Sequence, residues 1–399
     1  MAMRPTSRDG FEIAVVCALP LEYDAVALAF DEFWDEEDDK YGRAQGDTNT
    51  YTTGRIGHYN VVLALLSGMG KVNAASAAAS LRSSYTGLRL ALLTGICGGV
   101  PGLGTENEII LGDVVISKTV VQYDFGRQYT DRFIRKDTVD DNLGRPNKDI
   151  RSLLATTQTN LVRERLQLAA SLFLDQIQKK AAKKRRSAKY KRPPSSEDKL
   201  FKPKYVHMHH ERTDCGCGLQ VCETARASSC DELHCDIAEL ERRERLDEMD
   251  ELERNGTGGD SQEFEIHIGS IASGDTVMKS GADRDRIAQE LNVIAFEMEG
   301  AGVWDEVPCI VVKGVCDYAD SHKNKKWQTY AAATAASVMK ALLARYIRTD
   351  RDAVDHNSRE ATTTPSGSQG PIFNGAITGK YVVAGQHTSG GVTNMNFGN

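Results

Sequence analysis

The sequence predicts an α/β protein: one sheet-and-helix domain cut by a long charged insertion and followed by a polar tail. Two observations predict it. Short apolar, β-branched runs alternate with glycine turns and alanine-rich segments towards both ends of the chain. Between about Asp131 and Gln262 that alternation gives way to charge.

In chain order, Glu12–Ala18 (EIAVVCA) is an apolar run closing on Leu19-Pro20, which reads as a buried strand. Asn60–Ser67 (NVVLALLS) is a second, ending on Gly68-Met69-Gly70, and the alanine-rich Val72–Leu81 behind it has strong helix propensity. Leu90–Thr94 and Asp113–Ser117 repeat the strand pattern, with Gly95, Gly98 and Gly99 between them. The rhythm returns as strands at Phe264–Ser273, Val293–Met298 and Cys309–Val315. Asp283–Leu291 reads as a helix, and a last alanine-rich helix covers about Lys326–Arg348. The α/β domain thus comes in two parts, 1–130 and 263–350, with an insertion at 131–262 and a tail at 351–399.

Within the insertion, Ile150–Gln178 and a charged stretch around Ile237–Arg254 read as helices. Lys179–Arg192 is a basic run, open to reading as a solvated loop, a nuclear import signal, a nucleic-acid contact or a phosphate-attracting segment. His207, His209, His210, Cys215, Cys217, Cys222, Cys230, His234 and Cys235 make a histidine- and cysteine-rich patch. Its spacing fits no strong zinc template, because one residue separates Cys215 from Cys217, so buried free thiols are the expectation and a structural zinc the alternative. The chemistry below calls for no catalytic metal and no cofactor.

A formal charge of −7 over 399 residues gives no general pull towards nucleic acid or membrane. No window approaches 18 uninterrupted apolar residues, and the N-terminus lacks the apolar core of a signal peptide. A cytoplasmic or nuclear location is expected, with the nine cysteines as thiols or metal ligands rather than a disulfide framework.

The carboxylates at strand ends carry the chemistry. Asp317 follows the buried run Ile310–Val315, where a carboxylate faces the crevice at a sheet's C-terminal edge. Partial burial there would raise its pKa, as a general acid requires, although a turn or cap aspartate has the same local sequence. Glu22 lies one turn into the element after the first strand, in place to aim at a water or to sit as a first-turn glutamate. Glu297 and Glu299 flank Met298, and a period of two would point both to one face, as a pair of ribose hydroxyls demands. No P-loop or dinucleotide fingerprint is present.

Seven segments, in order, resemble the nucleoside phosphorylase/nucleosidase superfamily: CALPLEYDAV, SGMGKVNAA, TGICGGVPGLG, LGDVVIS, IASGDTVMKSG, AFEMEGAGV and GVCDYAD. DSHKNKKWQTYAAATAA and DKLFKPKYVHMHH are similar to the phosphorylase-like, ATP-degrading domains of fungal NOD-like immune proteins. The resemblance implies a three-layer sandwich around a central mixed sheet and hydrolysis of a purine N-glycosidic bond. It gives Asp317 the protonation of purine N7 and Glu22 the activation of water. Met298 and Glu299 fall where ribose is packed and its hydroxyls bound. Val277 and Met278 match the purine-lining segment, and Gly98 and Met69 lie in loops around the sugar and the nucleophile.

Departures refine this expectation. The first strand–helix loop lacks the phosphate-gripping arginine of the phosphorylases, which favours water as nucleophile. Cys316 stands where a hydroxyl residue is common. Lys323, Lys325 and Lys326 follow Asp317, and Lys279 lies in the purine-lining segment; ammonium groups near the sugar's 5′ end suit phosphates. Adenine nucleotides, ATP first, are therefore the expected substrates, with phosphate-dependent cleavage or an inactive assembly scaffold as alternatives. Homo-oligomers are usual in the superfamily. The nearly uncharged Gly370–Asn399, rich in aromatic, β-branched, glycine and asparagine residues, resembles amyloid-forming signalling motifs and implies self-assembly.

Overall fold

Apolar runs bounded by glycine or proline form the middle of the sheet, because a strand buried on both faces needs no polar alternation. The computed structural model describes residues 4–34, 41–102, 105, 108–184, 190–210, 215, 217, 221–255 and 264–347. The segment 370–399 and the centre of the basic run, 185–189, lie outside them. The strands are β1 (Ile13–Cys17), β2 (Glu32–Phe33), β3 (Tyr51–Ile56), β4 (Tyr59–Leu65), β5 (Leu90–Gly99), β6 (Val114–Gln122), β7 (Gly126–Gln128), β8 (Phe133–Arg135), β9 (Ile266–Ser273), β10 (Val293–Glu297) and β11 (Cys309–Asp317). The helices are α1 (Pro20–Ala29), α2 (Lys71–Ser84), α3 (Lys148–Thr157), α4 (Asn160–Ala182), α5 (Glu223–Ala227), α6 (Glu244–Arg254), α7 (Gly281–Leu291), α8 (Gly300–Trp304) and α9 (Gln328–Leu343).

Nine strands make one mixed sheet in the order β10-β9-β6-β11-β5-β1-β4-β3-β2, and β7 with β8 makes a separate hairpin. β1 is buried along its whole length and runs parallel between β4 and β5. β5 is ten residues long and serves two neighbourhoods. Its first part lies between β1 and β11, while Gly98 and Gly99 at its end pair antiparallel with Phe296 and Ala295 of β10. That extra pairing closes β5, β11, β6, β9 and β10 into a ring. The ends of β5, β10 and β11 therefore converge, with Gly98 opposite both Asp317 and Phe296.

Residues Tyr330–Leu343 of α9 are all buried, so the helix is covered on every side rather than amphipathic. β5 and β11 cover one side, and α1 and α4 cover others. Since α4 belongs to the insertion, the insertion is part of the packed body, and the described residues up to Tyr346 form one compact unit.

Two helix expectations are corrected. The stretch Ile150–Gln178 is two helices, because Thr159 turns to an extended conformation between α3 and α4. The charged helix begins at Glu244 rather than Ile237: Leu240 is drawn into a β-bridge with Phe201, leaving Ile237–Glu239 as a 3-10 turn. The short edge strand β2 and its neighbour β3 were not expected. β3 (YTTGRI) mixes polar and apolar residues too evenly to stand out by composition.

Buried ion pairs tie the insertion to the sheet. Arg243 Nε donates to Glu108, and Arg245 makes a two-pronged contact with Asp113, whose carboxyl also accepts from Ile110 N–H, Glu265 N–H and His267. Burial opposes the charge on Asp113, but His267 and Arg245 outweigh it and bring the pKa down to about 2 from 3.8. A depressed carboxyl pKa contributes stability that is complete above the unfolded value and lost as pH falls through the folded one. The window is therefore about pH 4 to 2, and the contribution is about 2 kcal/mol. Asp113→Asn is expected to lower stability at pH 7 by about that amount, with the gap to wild type closing below pH 4. Urea denaturation across that range checks this, and a gap that stays constant with pH would count against the assignment.

Candidate active site

The converging strand ends open into a cleft of about 700 Å³, its mouth included. The loop after β1 and the start of α1 supply Ala18, Leu19 and Glu22, and the loop before α2 supplies Met69. β5 gives Ile96, Cys97 and Gly98; the loop after β9 gives Thr276, Val277 and Met278; β10 and its exit give Phe296, Glu297, Met298 and Glu299. β11 and the segment beyond it complete the wall with Cys316, Asp317, Lys323 and Gln328.

Glu22 is buried, and three backbone amides hold it. Ala18 N–H and Leu19 N–H donate to Oε2 at 2.8 and 2.9 Å, and Ile96 N–H donates to Oε1 at 2.8 Å. The pocket for this carboxylate exists because position 95 is glycine: a Cβ there would lie 2.1 Å from Glu22 Oε1. Four acceptor lone pairs minus three amides leave the carboxylate capacity for a water.

Asp317 ends β11 and is not an isolated acid. Ala319 N–H donates to its Oδ1 at 2.8 Å, and Lys323 Nζ lies 2.9 Å from the same oxygen. The Cys316 thiol donates to Oδ2 at 3.4 Å; burial and the adjacent carboxylate push that thiol well up, which keeps it a donor. Burial works against the Lys323 ammonium, but Asp317 outweighs it and moves the group up. Asp317 thus forms a carboxylate–ammonium pair with Lys323 at the cleft wall. Gly98 makes room for it, since a Cβ there would approach Asp317 Oδ1 to 2.9 Å. Ala319 takes a positive φ of 52° to aim its N–H.

Glu297 and Glu299 both reach the cleft, but not by strand alternation. β10 stops at Glu297, and Glu299 is already the N-cap of α8. Glu297 folds back to accept from Glu299 N–H and Gly300 N–H, so it braces the turn. Burial pushes its pKa up, Lys313 opposes, and Glu299 adds to the rise. Glu299 Oε2 pairs with Lys313 Nζ at 3.2 Å. Lys313 is almost wholly buried in the middle of β11; burial opposes its charge, and Glu299, Glu22 and Glu297 together raise it. Sequence reasoning missed this residue. The signal was present: a single lysine inside the apolar run CIVVKGVC.

The lysine cluster does not assemble at the cleft. Lys323 lines it, whereas Lys326 is exposed and turned onto Glu197 at 2.8 Å, and Lys279 and Lys325 are exposed outside the lining. Lys323 and Lys326, three residues apart, pair with different carboxylates, Asp317 and Glu197.

The segment after Asp317 rests on the insertion. Tyr318 Oη donates to Asp198 at 2.6 Å and receives Arg243 Nη1 at 2.8 Å. His207 N–H donates to Ser321 Oγ at 3.0 Å, and Trp327 Nε1 donates to Glu197 O at 3.2 Å. The expected buried thiols are corrected too: of the five cysteines in the patch only Cys217 is buried. The patch sorts into two groups of four donors, His207, Cys230, Cys235, His322 and His209, Cys215, Cys217, Cys222. Local spacing hid the first group because His322 comes from beyond β11.

Residues 12–189 match the family described as the phosphorylase superfamily. Over that segment the chain is similar to the phosphorylase superfamily. The matched segment carries Glu22, Met69 and Gly98, and the rest of the cleft comes from β9, β10, β11 and the segment beyond. A nucleotide-binding leucine-rich repeat (NLR)-like protein of Hyaloscypha variabilis is 30% identical over 348 residues, which cover 84% of this chain. This chain spans 29% of that protein's length. The 5′-methylthioadenosine/S-adenosylhomocysteine nucleosidase of Mycobacterium bovis is 24% identical over 336 residues, covering 83% of this chain and 95% of that enzyme. The crystal structure of the Helicobacter pylori nucleosidase of the same name is similar with 15% identity and a TM-score of 0.47, over 84% of this chain and 98% of that one. Among the described residues, no helix is long and apolar enough to cross a membrane.

Proposed function

We propose that this chain is a phosphorylase-superfamily purine nucleosidase that hydrolyses the N-glycosidic bond of adenine nucleotides, ATP first, releasing adenine and ribose 5-triphosphate. The observation that carries the reading is that Asp317, Glu22 and the buried Glu299–Lys313 pair line or back one cleft. A glycosidic bond to a purine breaks when the base takes a proton as it leaves and a water adds to C1′. In this reading Asp317 hands the proton to N7, and Glu22, fixed by three amides, orients the water and takes its proton. Glu299 grips the ribose hydroxyls, with Met298 against the sugar and Val277, Met278 and Phe296 around the base.

The absence of arginine from the cleft lining, among the described residues, supports water over phosphate as nucleophile. Lys323 supports a charged substrate. A substrate phosphate would compete with Asp317 for the ammonium, freeing the carboxyl to take up the proton it donates. The setting in this reading is immune or cell-death signalling, in keeping with the likeness to part of an NLR-like protein; the switch is self-assembly through 370–399, which rests on the composition of that segment alone.

Product analysis with ATP, ADP, AMP, adenosine and methylthioadenosine, each with and without phosphate, tests this. Free adenine from ATP without added phosphate is expected. Lys323→Met should cut that activity about 10- to 150-fold while affecting uncharged nucleosides less, since charge-assisted contacts contribute about 1.5–3 kcal/mol. Adenine released only from uncharged nucleosides would sink the substrate assignment, and cleavage only with phosphate would replace water as nucleophile.

A further inference from the structure

The geometry points to a zinc site that clamps the segment after Asp317 to the insertion, built by His207, Cys230, Cys235 and His322. Their donor atoms all lie within 4.8 Å of one another. Nδ1 of His207 is 3.6 Å from Cys230 Sγ and 3.5 Å from Cys235 Sγ; Nδ1 of His322 is 3.6 and 3.9 Å from the same sulfurs. Zinc–sulfur bonds of about 2.3 Å and zinc–nitrogen bonds of about 2.0–2.1 Å at tetrahedral angles place N and S about 3.6 Å apart. The four edges match that figure without rearrangement.

The second nitrogen of each ring is already committed. His207 Nε2 lies 2.9 Å from Ser228 O, and His322 Nε2 lies 3.0 Å from Tyr205 O. A carbonyl that accepts a hydrogen bond from Nε2–H leaves the Nδ1 lone pair facing the two sulfurs, which is how metal-bound histidines are oriented. Two thiolates and two neutral imidazoles in tetrahedral array suit zinc rather than a hard cation. His209, Cys215, Cys217 and Cys222 form a second group of the same chemistry, with His209 Nδ1 3.5 and 3.6 Å from the sulfurs of Cys217 and Cys222.

The first site has a consequence the second lacks. His322 neighbours Lys323, and Lys323 is the ammonium on Asp317. A metal at this point joins 207, 230 and 235 of the insertion to the cleft wall, so the zinc acts as a positioning element for Lys323 and Asp317. It supplies no step of the reaction.

Metal analysis of the full chain purified without chelator tests the site. Two equivalents of zinc per chain are expected, falling to one in Cys230→Ser and in His322→Ala. Replacing zinc by cobalt in the wild type should give the visible bands of tetrahedral cobalt–thiolate, a readout independent of whether either variant folds. Folded wild type that carries no zinc, takes up none from added zinc, and gives no such bands with cobalt would overturn the site. So would zinc content unchanged in both variants. The clamp, which rests on the proposed nucleosidase reading, predicts that stripping the metal lowers adenine release and that zinc restores it. Stoichiometric zinc with activity unaffected by its removal would keep the site and overturn the clamp.

Discussion

Asp317→Asn is expected to lower adenine release by about 100- to 10,000-fold, the range that a positioned proton donor contributes. The substitution keeps the shape of the side chain, and its carbonyl oxygen still accepts from Ala319 N–H. What it removes is the ionisable oxygen beside Cys316 and the charge that draws Lys323. The loss should therefore fall on kcat, with KM and the thermal midpoint near their wild-type values. Single-turnover assays with ATP, together with thermal unfolding, separate these quantities. A variant that keeps most of its base release would remove Asp317 from the reaction and leave Glu22 to be reconsidered as the acid. Equal loss of stability and activity would make Asp317 a structural residue.

Lys313→Met is expected to cost about 3–5 kcal/mol of stability, the typical result of breaking one partner out of a buried ion pair. Methionine fills much the same volume, so the packing of β11 against β5 and β6 is preserved. The carboxylates are what change. Glu299 loses its 3.2 Å partner, and the buried Glu297 and Glu22 lose the positive charge that offsets them. Chemical denaturation at neutral pH measures the effect. The variant should recover part of its stability as pH falls and the orphaned carboxyls take protons, which a simple packing defect would not do. A loss of less than about 1 kcal/mol would mean that the lysine is not the counter-charge of this site.

Much of the site was legible because its residues sit at the ends of recognisable strands. Asp317 ends an apolar run, Glu22 follows one, and Glu299 lies just past another; all three line the cleft. The glycines at 95 and 98 leave room for two of these carboxylates, Glu22 and Asp317, which their place between two strands does not announce. Reasoning from local period failed where an element ended. Glu297 and Glu299 share the cleft although the strand stops between them, and Lys323 and Lys326 pair with different carboxylates.

By itself the sequence determined the α/β rhythm, the break at the charged insertion, and the carboxylates at the strand ends. These follow from patterns spanning five to fifteen residues, where backbone geometry ties spacing to direction. Only the tertiary structure decided the rest. The pairing of Gly98 with Phe296 closes the ring that gathers three strand ends into one cleft. The insertion, which reads as an appendage, supplies α4 to bury α9 and Arg243 and Asp198 to hold Tyr318. Cys230 meets His322 across 92 residues, and Lys313 meets Glu299 from a neighbouring segment. Contacts of that kind depend on how the sheet curves and closes, a property of the whole chain that no local spacing carries.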